Sequence, residues 1–295
     1  MTSGYSIDEN ADSLAERLER GELVYFPICP FALPRDGDRD FLLAQQLRDI
    51  SESAIRFDPT GGKLKGYRFT TAEDAERLAG LSRSFSATAT GWLANVLPEY
   101  AGKWTRDRAT FRTEEEATRS LRHSSRNDLL HIDNFPTRPT SGQRLLRLYA
   151  NVNPTEERVW ITSEKFDALL ARYQARHRLP VRTIEEWREP VRGLQRFVQG
   201  DWSIKPNYDS FMQKLQQFLR ADEEFQDRAP RHFWHFPPGS AWLLFADGLS
   251  HAVLRGQFAL EHSYFVPENA WVQPEFAPLS QLVVASGASR LRRAG

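Results

Sequence analysis

The sequence predicts an α+β, mainly β fold: an antiparallel β-sandwich or jelly roll supported by helices. Helical periodicity is concentrated near the N-terminus, and short aromatic or β-branched segments lie on both sides of a later helical stretch. The last of these segments are separated by Pro-Pro-Gly, Asp-Gly and Arg-Gly turns. Strands and helices that are grouped rather than alternating are typical of such folds, and we expect one domain over residues 1–295.

The N-terminal third has the spacing of helices. Apolar residues recur at helical intervals between residues 11 and 18, and Gly21 provides a C-terminal stop. Residues 23–26 then indicate a short buried strand. Two further helices are predicted over residues 41–50 and 72–97, the second with a break near Ser82.

Strands are predicted in the middle and near the end of the chain. Residues 144–153 (RLLRLYANVN) are the strongest candidate, and residues 158–162 are another. Residues 163–222 have apolar side chains at helical spacing, which predicts a helical insertion between strands. Four more strands are predicted at residues 232–236, 240–246, 251–254 and 257–266.

The composition is that of an ordinary globular protein, and it disfavours several classes. Lys plus Arg equal Asp plus Glu at 39 each, so no basic excess indicates a nucleic-acid partner. Cys29 is the single cysteine, which excludes an internal disulfide and favours a cytoplasmic location. The first ten residues are unlike a signal peptide, and no apolar run is long enough to span a bilayer.

The triplet His131-Ile-Asp133 is the central functional observation. Residues two apart in a strand point to the same face, so this imidazole and this carboxylate can be directed at one point. Late in the chain, a buried strand and an Asp-Gly turn precede His251-Ala-Val, an arrangement typical of jelly-roll oxygenases. His251 would complete a two-His, one-carboxylate triad that leaves three positions on Fe(II) for a 2-oxo acid and O2. The alternative is unconnected histidines that are satisfied by hydrogen bonds.

The remaining histidines are weaker candidates. His232 and His235 are three apart on a predicted strand, so they face opposite sides. His177 lies in the helical insertion and is expected on the surface. His123 and His262 are better explained by structural roles.

The co-substrate 2-oxoglutarate also needs a cation for its distal carboxylate, and arginine can bind it through two parallel hydrogen bonds. In many jelly-roll oxygenases this arginine lies about ten residues after the distal histidine. Here residues 259–262 read Ala-Leu-Glu-His, and Arg255 comes too early. This departure directs attention to a second known arrangement, in which the cation lies on the strand after the His-x-Asp triplet.

Arg144 and Arg147 lie on that later strand. They are three residues apart, so only one of them is expected to face inward. We favour Arg147, which shares a face with Tyr149 and Asn151. The candidates for binding 2-oxoglutarate are therefore Arg147, Arg144, Tyr149 and Asn151. The alternative for either arginine is an ion pair on the outer surface of the barrel.

With these residues in view, the chain resembles the bacterial Kdo hydroxylases, 2-oxoglutarate dioxygenases that act on the Kdo sugar of lipopolysaccharide. The resemblance rests on HIDNFPTRPTSGQRLLRLYANVNP (residues 131–154), followed by Arg158-Val-Trp160, and on DGLSHAVLRGQFALEHSYFV (residues 247–266). The segments GELVYFP (residues 21–27) and DPTGGKLKG (residues 58–66) fit as well. Together they span nearly the whole chain.

The resemblance implies a double-stranded β-helix, the cupin-like form of the jelly roll, with Fe(II), 2-oxoglutarate and O2. It implies hydroxylation at C3 of a Kdo residue, with Kdo-lipid A or a related anionic glycolipid as partner. It also implies a cytoplasmic enzyme in peripheral contact with the inner membrane. Candidates for recognising the substrate are Arg122, Arg126, Asn134, Arg138 and Lys65, with Lys63 as an alternative to Lys65. Each charged member of this set is also explained as an ordinary surface charge.

Two other interpretations stay open at this point. The first is an oxygenase of the same superfamily that acts on a small metabolite, a peptide or a nucleobase. The second is a jelly-roll protein that binds sugar or metal without turnover, although the intact triad argues against it. The sequence leaves open the oligomeric state and the role of residues 163–222, which suit a lid, a substrate platform or a subunit contact.

Overall fold

The computed structural model describes residues 12–49, 52–69, 71–119, 123, 126–135, 137–190 and 206–287. Its centre is a pair of antiparallel sheets. The larger sheet has the strand order β1-β8-β5-β10-β4-β2-β3, and the smaller sheet has the order β7-β6-β9. The strands are β1 (Val24–Phe26), β2 (Ile55–Phe57), β3 (Leu64–Lys65), β4 (Thr105–Arg112), β5 (Arg144–Asn151), β6 (Arg158–Lys165), β7 (His232–Phe236), β8 (Ala241–Phe245), β9 (Leu249–Arg255) and β10 (Ala259–Val266).

The space between the two sheets is filled by aromatic side chains at one end. Tyr149 on β5 and Trp242 on β8 stack with ring centroids 5.3 Å apart, and Trp160 on β6 meets Tyr149 edge-on at 4.7 Å. Side chains alternate between the two faces of a strand, so the same strands place their other residues outward. This two-sheet sandwich confirms the predicted jelly roll.

The outer face of the larger sheet is covered by the N-terminal helices α1 (Leu14–Glu19), α2 (Asp36–Leu43) and α3 (Ala72–Val96). Buried side chains from α3, such as Leu78 and Leu93, form one apolar cluster with Leu146 and Leu148 of β5. Burial of apolar area of this kind is the main favourable term that holds helix against sheet. Seven strands and their covering helices therefore form a rigid base for the inner face.

The helices of the predicted insertion are α4 (Phe166–Gln174), α5 (Ile184–Arg188) and α6 (Asn207–Ala221), followed by α7 (Glu223–Arg228); helix α8 (Pro278–Ala285) lies near the C-terminus. Residues 191–205 of the insertion lie outside the described residues. Leu215 and Leu219 of α6 share a second apolar cluster with Leu130 and Ile132. The insertion is therefore packed against the segment that contains the His-x-Asp triplet.

Two helix predictions are wrong in detail. Helix α2 ends at Leu43 rather than continuing to residue 50. The chain after it pairs instead with a neighbouring segment, where Leu47 forms an antiparallel bridge with Tyr67. Helix α3 continues through Ser82 without a break, and the Ser82 hydroxyl donates to the carbonyl of Leu78 one turn earlier (2.8 Å).

Strands β2, β3 and β4 were not predicted from the sequence. Strand β4 has the sequence TRDRATFR, in which charged residues conceal the period of two. It lies between β10 and β2 in the larger sheet. Ala109 and Phe111 face the apolar cluster under α3, and the intervening residues Arg108, Thr110 and Arg112 therefore face inward.

None of the helices in the described part of the chain combines the length and apolar character needed to cross a membrane.

Candidate metal centre

Backbone pairing brings His131 and His251 together. The N–H of His131 donates to the carbonyl of His251 (3.1 Å), and the N–H of His251 donates to the carbonyl of His131 (2.9 Å). Such a doubly bonded antiparallel pair places both side chains on the same face. The two imidazole centroids are 5.0 Å apart, although the residues are distant along the chain.

Asp133 is held beside these imidazoles by the next backbone contact. Its N–H donates to the carbonyl of Ala246 (2.8 Å), at the end of β8. One carboxylate oxygen lies 3.6 Å from Nε2 of His131, and the other lies 3.8 Å from Nε2 of His251. The ligand atoms of the three residues lie within 4.8 Å of one another, and His131 and His251 are buried.

Hydrogen bonds to backbone carbonyls orient both rings. Nδ1 of His131 donates to the carbonyl of Leu129 (2.7 Å), and Nδ1 of His251 donates to that of Leu249 (2.9 Å). A carbonyl only accepts, so Nδ1 is the nitrogen that carries the hydrogen, and Nε2 is the nitrogen left to bind a metal. Burial lowers the pKa of His251 to about 4, which keeps this imidazole neutral and able to bind a metal at neutral pH.

The donor set fits a divalent metal. Neighbouring ligands on an octahedral ion with bonds of about 2.1 Å lie about 3 Å apart. The two imidazoles lie 3.6 and 3.8 Å from different oxygens of Asp133, and all the ligand atoms lie within 4.8 Å of one another, so the side chains would move closer together around one ion. Two neutral imidazoles and one carboxylate on one side of an ion form a facial triad, which is the ligand set of non-haem Fe(II) oxygenases.

The Asp133 carboxylate is also in contact with Arg147, which simultaneously contacts Glu261. Burial alone would raise the pKa of Asp133, but the positive charge of Arg147 outweighs burial and holds this pKa well below its usual range. Asp133 is therefore an anion at neutral pH. One of its oxygens can bind a metal while the other faces the arginine.

A cleft opens directly beside the triad. It is lined by the three candidate ligands together with Arg112, Asn127, Arg147, Tyr149, Trp160 and Val253. Trp160 stacks on the His251 ring, with centroids 5.4 Å apart and planes inclined by 12°. The lining of the cleft therefore combines aromatic side chains with two guanidinium groups beside the candidate ligands.

Of the residues predicted to bind 2-oxoglutarate, the structure brings Arg147 and Tyr149 to the cleft. Asn151 lies on the same face, but its amide donates to the carbonyls of Glu156 (2.9 Å) and Phe236 (2.8 Å). Arg144 lies on the opposite face of β5, where its Nε donates to Asp247 (3.1 Å). Strand alternation thus separates Arg144 from the cleft.

None of the predicted substrate residues that the structure describes lies in the lining of this cleft. Arg138 pairs with Asp107 and lies over the ring of Phe135, with 4.1 Å to the centroid. That ring also lies 5.6 Å from the guanidinium of Arg147, so Arg138 is close to the cleft. Of the other described residues, Arg126 donates to Asp128 (2.9 Å), Asn134 donates to the carbonyl of Asp209 (3.0 Å), and Lys65 is exposed on β3. Arg122 lies outside the described residues.

Sequence reasoning missed several residues of the cleft. Arg112 lies on the unpredicted strand β4, where its Nε donates to Glu261 (3.0 Å). Glu261 lies ten residues after His251, at the position where many jelly-roll oxygenases have the arginine that binds 2-oxoglutarate. The pairing of Glu261 with two arginines explains this departure: here the distal position supplies an acid that fixes cations from other strands. Nothing in the sequence pattern predicts that Asn127 lines the cleft, and Trp160 was singled out only as part of the family resemblance.

The fold and the site together define a jelly-roll protein with a two-His, one-carboxylate metal centre, the class of the non-haem Fe(II) oxygenases. A family model of 3-deoxy-D-manno-oct-2-ulosonic acid (Kdo) hydroxylase matches residues 3–289. The chain therefore belongs to the Kdo hydroxylase family. It has no significant match among curated proteins.

Solved structures agree with this family. The apo structure of the Kdo hydroxylase KdoO, a non-haem Fe(II) α-ketoglutarate-dependent dioxygenase, is 30% identical, with 92% of this chain and 88% of KdoO covered and a TM-score of 0.78. KdoO in complex with α-ketoglutarate and Fe(III) is also 30% identical over the same shares, with a TM-score of 0.77. KdoO with cobalt(II) is 29% identical over these shares, again with a TM-score of 0.77. The predicted family and the predicted class, an Fe(II)- and 2-oxoglutarate-dependent dioxygenase, are confirmed.

Proposed function

We propose that this chain hydroxylates C3 of a Kdo sugar in Kdo-lipid A, with Fe(II) held by His131, Asp133 and His251. The observation that supports the proposal most directly is the convergence of these three side chains on the fold of the Kdo hydroxylase family. Fe(II) with 2-oxoglutarate and O2 supplies the oxidation, in which one oxygen atom enters succinate as CO2 leaves and the other enters the sugar C–H bond.

The charges around the centre support a bound metal and co-substrate. Three arginines and three carboxylates contact one another there: Arg112, Arg147 and Arg158 with Asp133, Glu116 and Glu261. The pKa values of the three carboxyl groups are all lowered, so the six charges cancel at neutral pH. A divalent cation and the doubly charged 2-oxoglutarate bring equal and opposite charges, so the loaded site is also neutral. Neutrality matters because uncompensated charge is costly in a buried site.

Arg147 and Arg112 are the groups we propose for the carboxylates of 2-oxoglutarate. Both line the cleft beside the triad, and both are anchored through Glu261. A guanidinium group presents parallel N–H donors that match a carboxylate. Anchoring by Glu261 removes the rotational freedom that a free arginine would lose on binding.

Trp160, Tyr149 and Val253 form the apolar wall of the same cleft. In this proposal, their side chains keep water from one side of the ligands, and Trp160 also stacks on the His251 ring. Exclusion of water strengthens the electrostatic contacts inside the site and suppresses side reactions. In this proposal, the chain's own contribution is therefore orientation and a dry environment.

The anionic sugar and phosphates would meet a cationic surface beside the cleft. In the sheet register, Lys65 of β3 lies opposite Arg56 of β2, and Arg56 lies opposite Thr110 of β4. Residues that lie opposite one another point to the same face, so these side chains share the inward face with Arg108 and Arg112. Arg108 has no ion-pair partner among the residues that the structure describes, and burial together with the neighbouring Arg56 lowers its pKa. A partly buried cation beside another cation favours an anionic ligand. This row includes the predicted residue Lys65 and adds Arg56 and Arg108.

We also propose that the enzyme is cytoplasmic and contacts the inner membrane peripherally. Phe69 is 63% exposed and lies close to Lys65 and Arg68 at the same edge of the larger sheet. An exposed aromatic ring beside basic residues suits contact with an anionic lipid surface.

The proposal is tested with purified protein, Fe(II), 2-oxoglutarate, O2 and Kdo-lipid A. Mass spectrometry is expected to show a gain of one oxygen atom on Kdo, with one succinate formed per hydroxylation. His131→Ala, Asp133→Ala and His251→Ala should abolish the product, whereas His235→Ala, at an exposed histidine, should not. Succinate release with a peptide or metabolite but not with Kdo-lipid A would assign another oxygenase substrate. Binding of Kdo-lipid A without any turnover would instead indicate a binding protein.

A further inference from the structure

The segment that carries His131 and Asp133 has an outer edge that pairs with no strand in the part of the chain that the structure describes. On its inner side, the segment pairs with β9 through His251. An uncovered edge leaves backbone N–H and C=O groups to be satisfied in another way. In this structure, side-chain amides from helices α6 and α7 supply those bonds.

Gln226 of α7 acts as a substitute for a neighbouring strand. Its Oε1 accepts the N–H of Leu130 (2.9 Å), and its Nε2 donates to the carbonyl of the same residue (2.9 Å). The amide therefore makes both bonds that a paired strand residue would make. Nε2 also donates to the carbonyl of Leu219 in α6 (2.8 Å), which fixes the orientation of the amide.

Two further contacts continue along the same edge. Nε2 of Gln216 in α6 donates to the carbonyl of Ile132 (2.8 Å), and the side chain of Gln216 is buried. The amide of Asn134 donates back to the carbonyl of Asp209, also in α6 (3.0 Å). The bonds fall at residues 130, 132 and 134, which alternate with the candidate metal ligands at 131 and 133.

Packing follows the same alternation. Leu130 and Ile132 turn toward the insertion and share an apolar cluster with Leu215 and Leu219. His131 and Asp133 consequently turn to the opposite side, toward His251. The position of both ligand side chains thus depends on how firmly α6 and α7 hold the backbone between them.

We infer that helices α6 and α7 position the metal ligands, with Gln226 and Gln216 as positioning residues. This inference rests on the proposed function, because it takes His131, Asp133 and His251 as the metal site. Helix α6 of the insertion and helix α7, which directly follows it, would thus hold the metal ligands in place rather than act as a lid over the site. Residues that orient metal ligands commonly change metal affinity by about 10- to 100-fold when they are replaced.

The test is a cobalt(II) titration of the metal-free protein, followed by visible absorption, with unfolding temperature measured in parallel. Gln226→Leu removes both bonds to Leu130, and Gln226→Glu removes the donor alone. Gln217→Leu is the matched control, because Gln217 is an exposed glutamine on α6. We expect the dissociation constant of cobalt(II) to rise roughly tenfold or more in both Gln226 variants and to stay unchanged in the control. Activity of the Gln226 variants should recover as Fe(II) is raised.

Cobalt(II) affinity equal to wild type in folded Gln226 variants would overturn the inference, even if their unfolding temperature falls. If Gln226→Leu does not fold, Gln226→Glu and Gln216→Leu provide the same comparison with a smaller loss of contacts. Failure of the metal-site assignment on which the inference rests has a different signature: the wild type would then bind cobalt(II) no better than His131→Ala does. Failure of the proposed substrate alone would leave the cobalt(II) titrations unchanged and would appear only as an absence of oxygen gain on Kdo.

Discussion

Arg147 joins the metal centre to the rest of the inner face, because one guanidinium group contacts both Asp133 and Glu261. Its charge keeps Asp133 ionised, and its position in the cleft makes it available to a second carboxylate. The neighbouring Arg144 has no such role in this structure. It is buried against Asp247 and over the ring of Phe245, at 4.2 Å from the centroid.

Replacement of Arg147 by lysine is expected to raise the KM for 2-oxoglutarate roughly tenfold, because an ammonium group keeps the charge but loses the paired donors. The KM for the sugar substrate should change much less. Steady-state kinetics with each substrate varied in turn measure both values. Arg144→Lys should instead lower the free energy of unfolding, because it disturbs a buried ion pair. An increased 2-oxoglutarate requirement in Arg144→Lys alone would show that the cofactor residue has been misassigned.

Glu261 makes the stability of the metal-free protein depend on pH. Burial would raise its pKa, but Arg147 and Arg112 outweigh burial and lower the pKa from 4.5 to about 2. A lowered pKa in the folded state means that the stabilisation is present above pH 4.5 and is lost as the pH falls toward 2. The contribution at neutral pH is of the order of 3 kcal/mol.

Urea unfolding at about pH 6 and about pH 3 tests this contribution. The wild type should lose more of its free energy of unfolding between the two conditions than Glu261→Gln, which cannot titrate. Equal losses in the two proteins would show that Glu261 is not the group responsible.

Among the elements, helix α6 has the widest influence on the site. Beside its contacts to the ligand segment, its first turn contains Asp209, whose carboxylate accepts the N–H groups of Thr140 (2.6 Å) and Ser141 (3.0 Å). This contact fixes the turn that leads into β5. Helix α6 therefore contacts the segment between the metal ligands and β5 at two places, near residues 132–134 and at Thr140 and Ser141.

Asp209→Ala is expected to lower the free energy of unfolding by about 2 kcal/mol, because it leaves two buried N–H groups without an acceptor. Hydrogen exchange at the amides of Thr140 and Ser141 should become faster, which locates the effect. Asp227→Ala, at an exposed position on α7, is the control. Unchanged exchange at both amides would contradict this role of Asp209.

At the scale of the whole molecule, the smaller sheet covers only part of the larger one. Strands β6, β7 and β9 pack over the aromatic end of the interior, while β4, β2 and β3 extend the larger sheet beyond β10. That extension carries the basic row of Lys65, Arg56 and Arg108, and Phe69 lies just beyond it. Within this row, Arg56 contacts Glu52, whereas neither Lys65 nor Arg108 has an ion-pair partner among the described residues.

Phe69→Ser is expected to weaken binding to vesicles of anionic phospholipid roughly tenfold, because burial of a phenylalanine side chain is worth about 1.5–3 kcal/mol. Co-sedimentation with the vesicles measures the bound fraction. Phe233→Ser is the matched control, since Phe233 is similarly exposed but lies on β7 of the smaller sheet. Equal loss in the two variants would argue against a membrane contact at the β3 edge.

The sequence by itself determined the features that depend on local periodicity and residue chemistry. It identified the triad residues, the strand β5 and the inward face of Arg147, because a period of two is a property of a single strand. It also determined the family, through long segments near the triad and near His251. Only the tertiary structure decided which distant groups meet. Gln226 reaches Leu130 across 96 residues, and Glu261 reaches Arg147 across 114. Strand β4 was not predicted because inward-facing arginines replace the apolar residues that usually mark the buried face of a strand. These arginines face a charged site, and that site exists only after the sheets have formed.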